Sequence, residues 1–277
     1  MNSEHLLEIN LTVRGPVLVK SSQPAAFGID AAMARVACGP DAKKACIPGT
    51  LLKGKLAEAL AQLGRTDVRL EEFNRKWLGV DSDQPGGRND PYRGRLLFED
   101  LLAVTAEGHS VTGGARHRIR IDETRGSVEE RMLQVIETPF APGYTAIFKG
   151  QARFFADENT AAVVVRFLRV GLNWLTQIGA NRTVGFGRIL GVRVARRPGR
   201  QADSPPPKGG APIALELAIR PLGPLCISKH KIGGNLFESE DFIPGNVLKG
   251  AVAETWAALA GGGVHAGVGA LAGVYRL

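Results

Sequence analysis

Aromatic side chains, cysteine and histidine are scarce in this chain of 277 residues, and each scarcity narrows what the protein can be. Aromatics make up only 6% of the sequence, so stacking platforms are few and an anionic polymer would be held mainly through its backbone phosphates. The three cysteines, Cys38, Cys46 and Cys226, show no C-x-x-C spacing, and the opening Met1-Asn2-Ser3-Glu4-His5 starts no signal peptide; a reduced cytoplasm is the expected location. Five histidines are scattered, and the nearest pair, His109 and His117, read as loop residues rather than metal ligands. Residues 255–275 carry no charge, but their Gly and Ala content and His265 make a poor membrane span, so no membrane partner is expected.

What the chain does have is positive charge and a repeat. A formal net charge of +8 with 44% hydrophobic residues describes a folded protein whose partner is anionic, and nucleic acid is favoured over membrane because the basic residues are dispersed through patterned segments. Ile47-Pro48-Gly49-Thr50-Leu51-Leu52-Lys53-Gly54 returns near the far end as Ile243-Pro244-Gly245-Asn246-Val247-Leu248-Lys249-Gly250. Gly15-Pro16-Val17-Leu18 and Gly223-Pro224-Leu225-Cys226 precede the two copies, so one structural unit is expected twice.

In each copy Pro sets φ ahead of a helix, Gly permits close backbone approach, and Thr50 or Asn246 is placed to cap the first turn. Leu52, Leu56, Leu60 and Leu63 then recur at helical spacing, leaving Lys53 and Lys55 for solvent. The amides of such a helix start attract phosphate, although a capped amphipathic helix without a ligand satisfies the same pattern. Gly49 to Lys55 also spells the start of a nucleotide-hydrolase phosphate loop, but Leu56 stands where a Ser or Thr must reach Mg²⁺, Ala251 replaces the lysine in the second copy, and the polar residues 41–46 predict no strand before the loop.

Alternation predicts strands over 6–19, 94–105, 132–138, 144–155 and 188–195, with helices from Thr50, around 71–77 and over about 159–178. Residues 81–87 read as a mobile loop and Val184-Gly185-Phe186-Gly187 as a glycine-rich turn. The order β, α, β, β, α, β is the α+β ferredoxin-like (RRM-like) plan. The expected domains are 1–196 with that core, a linker over 197–212, and a partial second ferredoxin-like unit over 213–277 that opens with a strand at 213–219.

Three features taken in order carry a family resemblance: Phe27-Gly28-Ile29-Asp30, then Ile47 to Gly54, then Ile121-Asp122-Glu123-Thr124-Arg125-Gly126 leading to Glu137 and Pro142-Gly143, with Gly185-Phe186-Gly187-Arg188 closing the unit. On these residues the chain resembles the RAMP superfamily of CRISPR-associated proteins, and residues 6–196 look like the repeated backbone subunit of type III effector complexes. The second unit resembles type III-D relatives. The resemblance implies a subunit that holds CRISPR guide RNA, pairs with target single-stranded RNA and assembles with other RAMP subunits.

It also implies site residues. Asp30 matches the family's cleaving aspartate and would bind a divalent ion, Mg²⁺ or Mn²⁺, or help activate an RNA 2′-hydroxyl. Taken by itself, a loop aspartate after Gly28 more often shapes a turn. Gly49, Thr50 and Lys53 would meet guide phosphates, and Arg182, Gly185, Phe186, Gly187 and Arg188 would form a second contact. Lys20, Lys43 and Lys44 are assigned to the loop that bears Asp30. Arg116, Arg118, Arg120 and Arg125 resemble the thumb-like hairpin that intrudes into the guide–target duplex, and a solvated charged strand is the plain alternative. The turn after the first strand reads Val17-Leu18-Val19-Lys20 and lacks the family's frequent His-Ile-Gly signature; the second unit has no counterpart of Asp30. Two other functions stay open: a structural RNA-binding subunit with cutting done elsewhere, and a stand-alone endoribonuclease that matures CRISPR transcripts.

Overall fold

Apolar residues at every second position drive the first element, β1 (Ser3–Arg14), in which Leu7, Ile9, Leu11 and Val13 are fully buried. The computed structural model describes residues 2–21, 27–37, 43–80, 92–104, 114–197, 218–219, 225–233 and 236–260. After β1 come β2 (Arg35–Ala37), β3 (Lys43–Ile47) and helix α1 (Gly49–Gly64), then α2 (Val68–Phe73) with a π-helical turn (Asn74–Leu78). Short strands β4 (Gly79–Val80), β5 (Tyr92–Arg93), β6 (Leu97–Phe98) and β7 (Leu101–Val104) lead to β8 (Gly114–Arg118) and β9 (Gln134–Thr138). The long strand β10 (Thr145–Ala156), helix α3 (Glu158–Trp174) and β11 (Arg188–Arg197) complete the succession.

The main sheet runs β11-β1-β10-β7-β3-β2, with β6 also paired to β10. The recorded pairings of β1 with β11, β10 with β6 and β7, β3 with β7 and β2 with β3 are antiparallel. The protein is thus α+β with an antiparallel sheet. Helices α1 and α3 share the sheet's core through Leu52, Leu56 and Leu60 on one and Ala161, Val164, Leu168 and Leu172 on the other. Each buried leucine contributes about 1.5–3 kcal/mol relative to exposure. Glycine lets the two helices approach closely at their crossing, where a Cβ at Gly171 would lie 2.5 Å from Leu56 Cδ1 and displace that side chain.

Several expected boundaries move. The strand expected over 6–19 ends at Arg14, and 15–20 continues as irregular chain with Val17, Leu18 and Val19 buried. A strand does precede α1: β3 occupies Lys43–Ile47, burying Cys46 and Ile47 while Lys43 and Lys44 face solvent. The two lysines therefore belong to a strand and not to the loop of Asp30. The α1 cap is Pro48 with no side-chain capping bond, and Thr50 lies exposed inside the helix. Lys53 and Lys55 are half-buried rather than solvated, and Lys55 pairs with Glu58 at 2.6 Å. Residues 94–105 split into β6 and β7, α3 stops at Trp174, and His117 lies in β8 rather than in a loop.

His5–Pro198 form one compact unit, and Met1–Glu4 with Gly199–Leu277 form another. The second contains the hairpin β12 (Ser228–Gly233) and β13 (Leu236–Ser239), then α4 (Gly245–Ala260), which begins at the repeated Pro-Gly frame. Residues 81–87, His109, residues 198–212 of the expected linker and the first five residues of the strand expected at 213–219 lie outside the described residues; Ala218 and Ile219 are not in a strand. No helix among the described residues is long and apolar enough to cross a membrane.

Candidate nucleic-acid interface

Four segments meet where β1 ends. The Gly187 amide donates to Pro16 O at 2.8 Å, the Ala180 amide donates to Leu18 O at 2.8 Å, and Ile178 N donates to Gly187 O at 2.9 Å, so the turn after α3 is laced to residues 16–18. Glycine is required at two of these contacts. A Cβ at Gly179 (φ +92°) would lie 2.4 Å from Leu18 O, and one at Gly187 (φ +66°) would lie 1.9 Å from Ile178 O. On the other side Ala34 N donates to Val19 O at 2.7 Å and Ser21 N to Ala32 O at 2.9 Å, which brings in the Asp30 segment. The hairpin of β8 and β9 joins through Arg118 Nη1, which donates to Asn181 Oδ1 at 2.9 Å.

Asp30 is exposed in a short turn after Gly28 (φ +80°). Its amide donates to Val135 O at 2.8 Å, and its Oδ2 accepts from the Val135 amide at 2.6 Å. Both polar groups of Val135 are turned to Asp30, so they cannot also serve His117, the residue opposite Val135 in β8. Val135 and His117 are therefore a non-hydrogen-bonded pair, the closer kind, with Cα atoms roughly 4.5 Å apart. A second clamp lies two residues on. Glu137 accepts from the Met33 amide at 2.8 Å and from Arg35 Nη1 at 2.9 Å, with Arg35 Nη2 on its other oxygen. The Arg35 guanidinium holds the Glu137 carboxyl below the usual carboxylate range, against the opposing effect of burial.

The expected cations divide between this end and elsewhere. Lys20 bridges to Met33, Arg182 and Arg188 flank the glycine turn, and Arg116 and Arg118 extend from β8; all five are exposed. Arg120 lies just past β8 and pairs with Glu129 at 3.0 Å, while Arg125 sits in a turn whose amides bond Asp122 Oδ1. Lys43 and Lys44 are exposed on β3, paired to the edge strand β2. One cation escaped the sequence reading: Arg14 lies directly opposite Arg188 across β1 and β11, both exposed. Like charges directly opposite each other destabilise a sheet, and an anion between them removes the repulsion. No sequence signal marks Arg14, because its partner is set by the β-bulge between Thr12 and Val13.

Two expected contacts take other roles. Phe186 is 3% exposed within the core, so its ring has no free face for a base, and its amide donates to Asn181 O at 3.3 Å. The Gly49 amide donates to Asp100 Oδ1 at 2.9 Å, and a Cβ there would lie 2.6 Å from Phe98 O. Gly49 is thus explained by packing, while Thr50 remains exposed and Lys53 half-buried one turn into α1. Asn181, left-handed at φ +57°, buries an Nδ2 donor that meets no acceptor among the described residues.

A divalent ion fits this site only in part. Among the described residues no three His, Cys, Asp or Glu side chains cluster to hold a metal, and one Asp30 oxygen already accepts from an amide. A single carboxylate completes a Mg²⁺ shell only with substrate phosphate oxygens and water.

No protein-family profile and no curated protein matches the sequence. Among solved structures, a similar chain belongs to one described as a Type IV-B CRISPR Complex, with a TM-score of 0.47 and 16% identity over 74% of this chain and 95% of that chain.

Proposed function

We propose that this chain is a guide-RNA-binding backbone subunit of a CRISPR effector complex, built on a ferredoxin-like RAMP core, that cleaves paired target RNA at Asp30. The succession β1, α1, β7, β10, α3, β11 and the sheet order β11-β1-β10-β7 support the ferredoxin-like reading. The observation that carries RNA binding is the convergence of Lys20, Arg116, Arg118, Arg182 and Arg188, with Arg14 opposite Arg188, on one interlocked end of the sheet beside exposed Asp30. The ends of β1, β8 and β11 and the segments that hold Lys20 and Arg182 supply these charges, spread as contacts to a phosphate backbone would be.

In the reaction the 2′-oxygen of the target attacks the adjacent phosphorus as its proton passes to the Asp30 carboxylate, and the bond from phosphorus to the 5′-oxygen breaks as that oxygen takes a proton from water, giving a 2′,3′-cyclic phosphate and a free 5′-hydroxyl. Asp30 and the scissile phosphate together would hold Mg²⁺ or Mn²⁺, which supplies charge stabilisation when bound. The Val135 amide orients the carboxylate through Oδ2 and leaves Oδ1 to face RNA. That same hydrogen bond favours the second reading, a structural subunit in which Asp30 only shapes the turn.

The test is cleavage of a complementary RNA by the guide-loaded protein with Mg²⁺, comparing wild type with Asp30→Asn and Asp30→Ala. Cutting lost in both variants with RNA affinity retained supports the active reading. Equal cutting by wild type and variants overturns it. RNA copurifying with a common 5′ handle supports guide loading, and if about six phosphates are contacted, log K falls against log salt with a slope of roughly −4.

A further inference from the structure

The geometry points to a nucleobase pocket beside the glycine turn, in the cleft between α1 and the end of α3; the inference rests on the RNA-binding reading and adds a second kind of contact to it. The cleft encloses about 450 Å³, within the range of small-ligand sites and roomy for one unstacked nucleotide. Trp174 at the last position of α3 forms one wall and is 53% exposed, the exposure expected of a free ring face rather than a core residue. Its indole Nε1 donates to Gln62 Oε1 at 3.0 Å, so the ring is held by its edge and its face stays available.

The remaining lining mixes the apolar Ala59 and Leu175 with several hydrogen-bonding side chains, a combination that suits the flat, polar-edged ring of a base. Lys55 is neutralised by Glu58 at 2.6 Å. Asn173 Nδ2 donates to Arg169 O at 2.9 Å, which leaves its Oδ1 as an acceptor, and Gln177 Nε2 donates to Arg182 O at 3.0 Å. Arg182 lines the cleft and also opens the glycine turn, so a phosphate there places the next base over Trp174. Single-stranded RNA is recognised in this way, with unstacked bases laid on aromatic rings and their phosphates held by neighbouring cations.

The experiment titrates a fluorescently labelled single-stranded RNA, and the same oligomer with abasic ribose units, against the full chain at fixed salt. Wild type, Trp174→Ala, Trp174→Phe and Gln62→Ala are compared after circular dichroism shows equal folding. Stacking on one aromatic predicts about 5- to 150-fold weaker RNA binding for Trp174→Ala, near-complete rescue by Trp174→Phe, a smaller loss for Gln62→Ala and an unchanged salt slope. Abasic RNA should bind all four alike. If wild type binds RNA and Trp174→Ala binds it equally well, the pocket is refuted while the RNA-binding reading stands; if wild type binds no RNA, that reading fails first. Equal weakening for abasic RNA makes Trp174 a scaffold residue and overturns the pocket. Displacement of RNA by free UMP or AMP at matched nucleotide concentration reassigns it to mononucleotides, and lost self-association with unchanged RNA binding reassigns the cleft to protein docking.

Discussion

Replacing Glu137 with Ala should loosen the Asp30 segment by an amount that the local geometry sets. The carboxylate makes a two-pronged contact with Arg35 and accepts from the Met33 amide at 2.8 Å. The pair is partly screened, with side-chain exposures of 32% for Arg35 and 21% for Glu137, so it contributes about 1 kcal/mol, near the top of the range for exposed ion pairs. Met33 is 1% exposed, and its amide left without an acceptor costs about 1–2 kcal/mol more. Glu137→Ala is therefore expected to lose about 2–3 kcal/mol, and Glu137→Gln, which keeps an acceptor for the amide, about 1 kcal/mol.

The pH dependence has a definite sign. Arg35 lowers the folded-state pKa of Glu137, so the stabilisation is full above the unfolded value of about 4.3 and is lost as pH falls through the folded one. Urea unfolding followed by circular dichroism should show the gap between wild type and Glu137→Ala at pH 7 narrowing between pH 5 and 3. Amide exchange at Met33 should quicken in the variant. Coincident midpoints at pH 7, or a gap that widens on acidification, would falsify the clamp.

Three further outcomes follow from single contacts. Gly187→Ala drives a Cβ to 1.9 Å from Ile178 O at φ +66° and should lower stability by on the order of 3 kcal/mol, read as a fall in thermal midpoint; Gly191→Ala, with open space around it, should leave the midpoint in place. Phe186→Ala should cost about 3–5 kcal/mol in urea unfolding as a core deletion, and a variant that folds normally but loses RNA affinity would contradict the burial of that ring. Arg188→Ala and Arg116→Ala should each reduce the salt slope of RNA binding by about 0.7, and removing Arg188 should not lower stability because Arg14 opposite it is relieved.

The elements legible in the sequence are those whose own periodicity declares them. Period-2 burial in β1 and β10 and the spacing of Leu52, Leu56 and Leu60 in α1 follow from local chemistry alone. Strands β2 and β3 do not, since Lys43 and Lys44 mask a strand that buries only Cys46 and Ile47 and gains its order from pairing with β7. The same limit applies at the candidate site. The glycine turn could be singled out from its composition, but whether Phe186 faces RNA or the core depends on residues 16–18, more than a hundred positions away. Glu137 drew notice only as part of a motif, and its grip on Arg35 and Met33 is a tertiary fact. Trp174 gave no signal, because a tryptophan at helical spacing reads as core until its exposure is known.

The pairing of Arg14 with Arg188 has a consequence for how the protein is made. β1 is synthesised well before its neighbour β11 and the glycine turn that completes this end, which follow only after roughly 10–30 s of further elongation. Until then the edge of β1 that β11 will cover has unpaired backbone groups, the condition under which nascent chains misassociate. The basic end of the sheet therefore forms only once β11 has been made. Under the proposed function, uptake of RNA at this end waits for completion of the first unit.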